Sequence, residues 1–252
     1  MLTFDHVTFQ YENAEKPVLN DISFSAEKGS FTAIIGASGS GKSTIFRLLN
    51  CLEMPDKGKI QIDHTDIHQL SNYSSYMPQQ DLLFPWLSVE ENVMLPMTVR
   101  KVSKAERKLR AGEMLKQVGL SDWAEKKPKE LSGGMKQRAS FARTLCVGAD
   151  LLLLDEPFSA LDSITRISLQ EWLREQWKEL GKTILFITHD VEEAIFLSQR
   201  ILVLSGQPVN EIKEYEVPLG NARDRSQLLK PEIMELKETL ISKLRQENNL
   251  SL

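Results

Sequence analysis

The chain has 252 residues, with 31 Lys or Arg against 35 Asp or Glu for a formal charge of −4, and 41% of it is hydrophobic. That balance is ordinary for a globular protein. The near-neutral charge excludes a strongly basic nucleic-acid binder, and two cysteines without C-x-x-C spacing exclude a disulfide framework or a zinc site. No segment approaches the ~20 apolar residues of a membrane-spanning helix, and the first residues lack the basic start and apolar run of a signal peptide, so a cytoplasmic protein is expected.

In chain order, Leu2-Thr3-Phe4, Val7-Thr8-Phe9, Ile22-Ser23-Phe24 and Phe31 to Ile35 read as strands, with a turn at Glu27-Lys28-Gly29. A helix is expected from near Gly41, carrying Ile45, Phe46, Leu48, Leu49 and Leu52 inward before Pro55-Asp56-Lys57-Gly58 breaks it. Cys51 and Cys146, among apolar neighbours, read as small core residues. A strand restarts at Lys59 to Ile62; residues 87–140 then turn to helix formers and charges and read as a helical insert. Two continuous apolar runs, Leu151 to Leu154 and Thr183 to Thr188, flank a helix from Ile164 to Leu180, the pattern of a buried parallel sheet. From Arg225, apolar residues at Leu229, Ile233, Leu236, Leu240 and Leu244 predict one or two amphipathic helices. The domain reading is a main domain over 1–230 and a helical tail over 231–252.

The chemistry concentrates at a few places. Gly36-Ala37-Ser38-Gly39-Ser40-Gly41-Lys42-Ser43 fits G-x-x-x-x-G-K-[ST], whose backbone N–H groups cradle nucleotide phosphates. Gly36 and Gly41 let the backbone approach, Lys42 supplies charge to the β- and γ-phosphates, and the Ser43 hydroxyl can ligate Mg²⁺. Thr44 opens the helix and can reach the α-phosphate region. Asp155 ends an apolar strand, where ligands bind in open α/β sheets, and can hold Mg²⁺; Glu156 beside it can accept a proton from the attacking water. His189 follows the next apolar strand and is expected at the same sheet edge, facing the γ-phosphate. Far along the chain, Leu131-Ser132-Gly133-Gly134-Met135-Lys136-Gln137-Arg138 adds a serine and glycine pair that a simple phosphate-loop enzyme does not need.

In this order the motifs resemble the ATP-binding subunit of an ATP-binding cassette (ABC) transporter. The resemblance implies an α/β P-loop NTPase fold: a RecA-like, mostly parallel core sheet, an N-terminal antiparallel β-subdomain and an inserted α-helical subdomain. It implies that Tyr11 stacks on adenine, and that Gln79 in Tyr76-Met77-Pro78-Gln79 reaches Mg²⁺ and the attacking water. Gln80 stands beside it, though the spacing to Pro85 favours Gln79. It further implies that Ser132, Gly133, Gly134 and Gln137 bind the γ-phosphate of ATP held by a second copy of the chain, and that Asp162, in Ser159-Ala160-Leu161-Asp162, lies in the loop crossing that dimer.

The run from Asp81 through Phe84-Pro85-Trp86 to Val93 is similar to importer subunits of the nitrate, sulfonate, taurine and thiamine-precursor group. The apolar members Leu82, Leu83, Phe84, Pro85 and Trp86 read as an exposed docking surface. The implied partners are transmembrane permease subunits and an extracellular or periplasmic solute-binding protein, not nucleic acid. The implied location is the cytoplasmic face of the cell membrane. No regulatory C-terminal domain of the sugar-importer kind is expected. An exporter or lipid-extraction ATPase, and a non-transport cassette acting on DNA or ribosomes, are the competing readings.

Overall fold

A computed structural model of the chain describes residues 1–221 and 223–249. Its elements are β1 (Leu2–Phe9), β2 (Leu19–Ala26), β3 (Phe31–Ile35), α1 (Lys42–Leu49), β4 (Lys57–Ile62), β5 (Thr65–Asp66), β6 (Ser74–Met77), α2 (Val89–Val99), α3 (Lys104–Gln117), α4 (Gly133–Leu145), β7 (Leu151–Asp155), α5 (Ser163–Leu180), β8 (Thr183–Ile187), α6 (Val191–Leu197), β9 (Arg200–Ser205), β10 (Glu211–Glu216) and α7 (Pro231–Asn249). They divide into two compact units, one of Met1–Tyr73 with Gln176–Leu252 and one of Ser74–Glu175. No described helix is long and apolar enough to cross a membrane.

The first unit holds an antiparallel sheet in the order β2-β1-β4-β5, and the strands β10-β9-β3-β8, of which β9, β3 and β8 run parallel. Every residue of β3 and β8 is buried, as strands covered on both faces require. β10 closes the edge antiparallel to β9, and its sequence, EIKEYE, is charged as an edge strand should be. The two predicted pieces at Leu2 and Val7 are one strand, β1, with a bulge between them. His6 turns left-handed (φ 53°), and the pairing register with β2 shifts between Phe4 and Val7. The extra residue swaps the pleat, so Leu2, Phe4, Val7 and Phe9 all face the core. Gly58 on β4 must be glycine there, because a Cβ would lie 2.3 Å from the His6 carbonyl oxygen.

Three expectations fail in this unit. Leu52 is 56% exposed rather than inward, because α1 ends at Leu49 and Cys51 takes a left-handed backbone (φ 52°) that turns the chain away. Cys51 is exposed for the same reason and is no core residue. Leu229 is 77% exposed in a single 3-10 turn, Arg225–Leu229, and the apolar contacts of the tail fall to Ile233 and Leu240 of α7. Residues 250–252 of the expected tail lie outside the described residues.

In the second unit β6 and β7 pair in parallel, Ser74 to Met77 alongside Leu151 to Leu154. Residues 87–140 contribute α2, α3 and most of α4 and no strand. α2 starts with a capping box, in which Ser88 Oγ accepts the Glu91 N–H and Glu91 Oε2 accepts the Ser88 N–H. Leu83 departs from the expected surface: it is 8% exposed while Leu82, Phe84 and Trp86 are 58, 38 and 68% exposed.

Cys146 is only half-buried by area, yet burial of its thiol pushes its pKa up to about 11, against a smaller opposing effect of Arg110. At pH 8 about 0.1% of it is then thiolate, and the thiolate is the reactive form. A disulfide exchange reagent at pH 8 is expected to label one thiol per native chain quickly, and Cys51→Ser should remove that phase. Rapid labelling of two thiols would contradict the burial of Cys146.

Candidate functional site

The phosphate loop joins β3 to α1. Ala37 O accepts the Ser40 N–H, and the chain passes through left-handed Gly39 (φ 76°) and Gly41 (φ 81°) to enter the helix. At Gly41 a Cβ would lie 2.7 Å from Val18 Cγ1, so the loop needs glycine both for its backbone angle and for its neighbour. Lys42 Nζ arches over the loop and donates to Gly36 O at 2.9 Å and Ala37 O at 2.7 Å. Helices α2, α3, α4 and α6 begin with a side-chain cap, from Ser88, Ser103, Ser132 and Asp190. Helix α1 begins at Gly41 with no side-chain cap and no acidic residue in its first turn. Its first N–H groups and its dipole are therefore available to an anion.

Around this loop, Tyr11 Oη lies 3.2 Å from Thr44 Oγ1, and the ring meets Phe9 edge-on at 4.8 Å. His189 is exposed just after β8, which pairs directly with β3, so it stands at the same strand ends as the phosphate loop. The turn that carries it is braced: Thr188 Oγ1 donates to Glu193 Oε2 at 2.7 Å and accepts the Asp190 N–H at 3.0 Å. Asp190 Oδ1 then caps α6 through the N–H groups of Glu192 and Glu193.

In the second unit β7 ends at Asp155, which is 3% exposed, and Glu156 follows with a left-handed backbone at φ 49°. That conformation costs a non-glycine residue roughly 1–2 kcal/mol, and such strain clusters at working sites. Gln79 Nε2 donates to Glu156 Oε2 at 3.2 Å, so of the two adjacent glutamines it is Gln79 that reaches the candidate base. Ser132 and Gly133 are exposed at the start of α4, and a Cβ on Gly134 would sit 3.1 Å from Ala160 O. Asp162 caps the start of α5 by accepting the Thr165 N–H at 3.0 Å, which holds its carboxyl below the usual range.

Gln137, expected among the ligand contacts, also has partners within the chain. It is 5% exposed, and its amide is taken up inside the unit. Nε2 donates to Glu156 O at 2.9 Å and Ser159 Oγ at 3.2 Å, and Oε1 accepts the Ala160 N–H at 2.9 Å. It braces the loop after the candidate base.

Two residues not anticipated from sequence hold the loop before α2. Asn92, fully buried, accepts the Phe84 N–H at 2.8 Å and donates to Ser88 O at 2.9 Å and Phe84 O at 3.1 Å. Arg143 on α4 donates to Leu82 O and Asp81 O, both at 2.8 Å. A polar Asn at helical spacing between Val89 and Val93 was the available signal for the first. The second carried none. Leu82, Phe84 and Trp86 are thus exposed on a loop that is held firmly from behind.

Residues 19–159 match the ABC transporter family. The chain belongs to that family. It is 43% identical over 218 residues to the formylaminopyrimidine import ATP-binding protein ThiZ of Halalkalibacterium halodurans, covering 86% of this chain and 85% of the relative. It is 37% identical over 240 residues to the taurine import ATP-binding protein TauB of Pseudomonas aeruginosa, covering 93% and 91%. Among solved structures, a dimeric post-hydrolysis state of the ATP-binding cassette MJ0796 bound to ADP and Pi superposes with a TM-score of 0.79 at 33% identity, over 87% of this chain and 100% of that one. The fold is that of an α/β P-loop ABC cassette, and the protein is an ATP-binding ATPase of that family.

Replacing Gln137 of the cassette by Leu removes three hydrogen bonds and leaves the Ala160 N–H without that acceptor. Urea unfolding is expected to show a loss of about 2 kcal/mol, with Gln137→Glu, which keeps the acceptor, in between. Unchanged stability in Gln137→Leu would contradict the brace.

Proposed function

We propose that this cassette is the ATP-hydrolysing subunit of an importer. Two copies dock beneath membrane permease subunits at the cytoplasmic face of the cell membrane, and an extracellular or periplasmic binding protein delivers the solute. The observation that carries this reading is similarity along most of the chain to subunits named for import, ThiZ and TauB. The solute class follows them: a thiamine pyrimidine precursor or a taurine-, sulfonate- or nitrate-like anion.

In this reading ATP lies against the phosphate loop, with adenine on Tyr11 and the phosphates on the N–H groups of residues 36–44. The Lys42 ammonium exchanges its two carbonyl partners for the β- and γ-phosphates. The donors Ser43 Oγ, the Asp155 carboxylate and the Gln79 amide oxygen suit Mg²⁺. Mg²⁺ takes one or two carboxylates plus substrate phosphates, and this donor set has one carboxylate. Bound there, Mg²⁺ supplies charge neutralisation on the phosphates. Glu156, oriented by Gln79, takes the proton of the attacking water, and His189 holds the γ-phosphate side. Ser132, Gly133 and Gly134 present the start of α4 to ATP bound by the second copy, with Asp162 in the loop along that contact. A dimeric neighbour with ADP and Pi supports the two-copy arrangement. Because the γ-phosphate joins the two copies only before hydrolysis, its loss releases them and drives the permease.

Glu156→Gln is expected to bind ATP, lose turnover, and elute as a dimer when ATP and Mg²⁺ are present. Normal hydrolysis by this variant would remove Glu156 from the role of base. For docking, the buried Leu83 is a poor probe, and the exposed Trp86 is the better one. Trp86→Glu should leave ATP binding intact and abolish co-purification with the permease; unaltered assembly would rule out this patch.

A further inference from the structure

We infer that Glu247, in the last turns of α7, is a positioning residue of the nucleotide site. This inference rests on the reading that ATP occupies the phosphate loop. Glu247 Oε2 accepts the Gly206 N–H at 2.9 Å, its side chain is 11% exposed, and Lys243 lies 3.9 Å away, one helical turn back. A carboxylate accepting a backbone N–H makes a short, charge-assisted bond.

Gly206 opens the turn between β9 and β10 and has little freedom to move. Its φ is 92°, and a Cβ there would meet Asn210 Oδ1 at 2.7 Å and Pro208 O at 2.8 Å. The turn is tied at its other end, where the Val209 N–H bonds to Val18 O at 3.0 Å and the Asn20 N–H bonds to Val209 O at 2.8 Å. Val18 is the residue whose methyl fills the space a Gly41 side chain would need, and Leu204 Cβ lies 3.2 Å from where a Gly36 Cβ would stand. The glycines of the phosphate loop have no side chains of their own to pack, so β9, the turn and Val18 set their position.

The same turn walls a cavity of about 310 Å³, lined by residues 206–209 on one side and by Lys16, Pro17, Val18, Gly39 and Ser40 on the other. Ser40 is 5% exposed, and its hydroxyl has no hydrogen-bond partner among the described residues. The contacts therefore run without a break from the Glu247 carboxylate through the Gly206 turn to the phosphate loop. None of them touches Glu156 or Gln79. Removing the carboxylate should loosen the wall of the cavity beside Gly39 and Ser40 of the phosphate loop and weaken ATP binding while leaving the hydrolytic step at saturation.

The experiment compares full-length wild type, Glu247→Ala, Glu247→Gln and Lys42→Ala. It measures binding of a non-hydrolysable ATP analogue, steady-state ATPase kinetics and the melting temperature without nucleotide. Glu247→Ala is expected to bind the analogue about tenfold more weakly, with a matching rise in KM, a retained kcat and a melting temperature lower by about 2–4 °C for the lost bond. Glu247→Gln, whose amide oxygen still accepts the Gly206 N–H, should return affinity to within about twofold of wild type. Unchanged affinity in Glu247→Ala would overturn the inference. So would a fall in kcat without a change in KM, failure of Glu247→Gln to restore affinity, or failure of Glu247→Ala to fold, which would make Glu247 a structural anchor only. Lys42→Ala separates the two readings: if it binds the analogue normally, the phosphate-loop assignment itself fails, whereas lost binding there with an unaffected Glu247→Ala overturns the role of Glu247 alone.

Discussion

The loop from β3 into α1 must turn left-handed twice, at Gly39 and Gly41, while Val18 occupies the space beside it. A side chain at Gly41 would meet both an unfavourable backbone angle and a methyl group, and the loop could not lie as it does. With glycine there, α1 starts abruptly at Lys42 and presents uncapped N–H groups and the positive end of its dipole. The burial of β3 on both faces and the apolar face of α1 hold this arrangement still. An ordinary helix start would satisfy those N–H groups with its own Ser or Asp, as α2, α3, α4 and α6 do. Here no side chain caps them.

A comparable constraint organises the second unit. The left-handed backbone at Glu156 persists because the loop after it is over-determined. Gln137 bonds to three points along it, and the absence of a side chain on Gly134 lets Ala160 O come close. Gln137, expected to touch nucleotide, thus also braces the loop that follows the candidate base. In the loop before α2, Asn92 and Arg143 satisfy the backbone from behind, so Leu82, Phe84 and Trp86 can stay exposed without loosening it. An apolar surface on so braced a loop differs from a frayed end.

The phosphate loop, the acidic pair at the end of β7 and the two buried strands were legible because their chemistry is local. Glycine spacing, a lysine next to serine, and unbroken apolar runs each carry meaning within a few residues. The short strands β6, β9 and β10 were not predicted. β9, RILVLS, is a brief apolar run following a helix, and such a run reads as helix or strand with equal ease. The exposure of Cys51 and Leu52 turned on one left-handed residue that no apolar pattern announces.

The sequence by itself therefore determined the family, the fold class and the residues that build the candidate phosphate loop, since those depend on short-range backbone and side-chain chemistry. The tertiary structure decided which side chains are braces and which are surface. Gln137, Asn92, Arg143 and Glu247 are polar residues that each have a partner between 8 and 62 positions away in the chain. A hydrogen bond is satisfied by proximity in space, and only the folded chain brings those partners within about 3 Å.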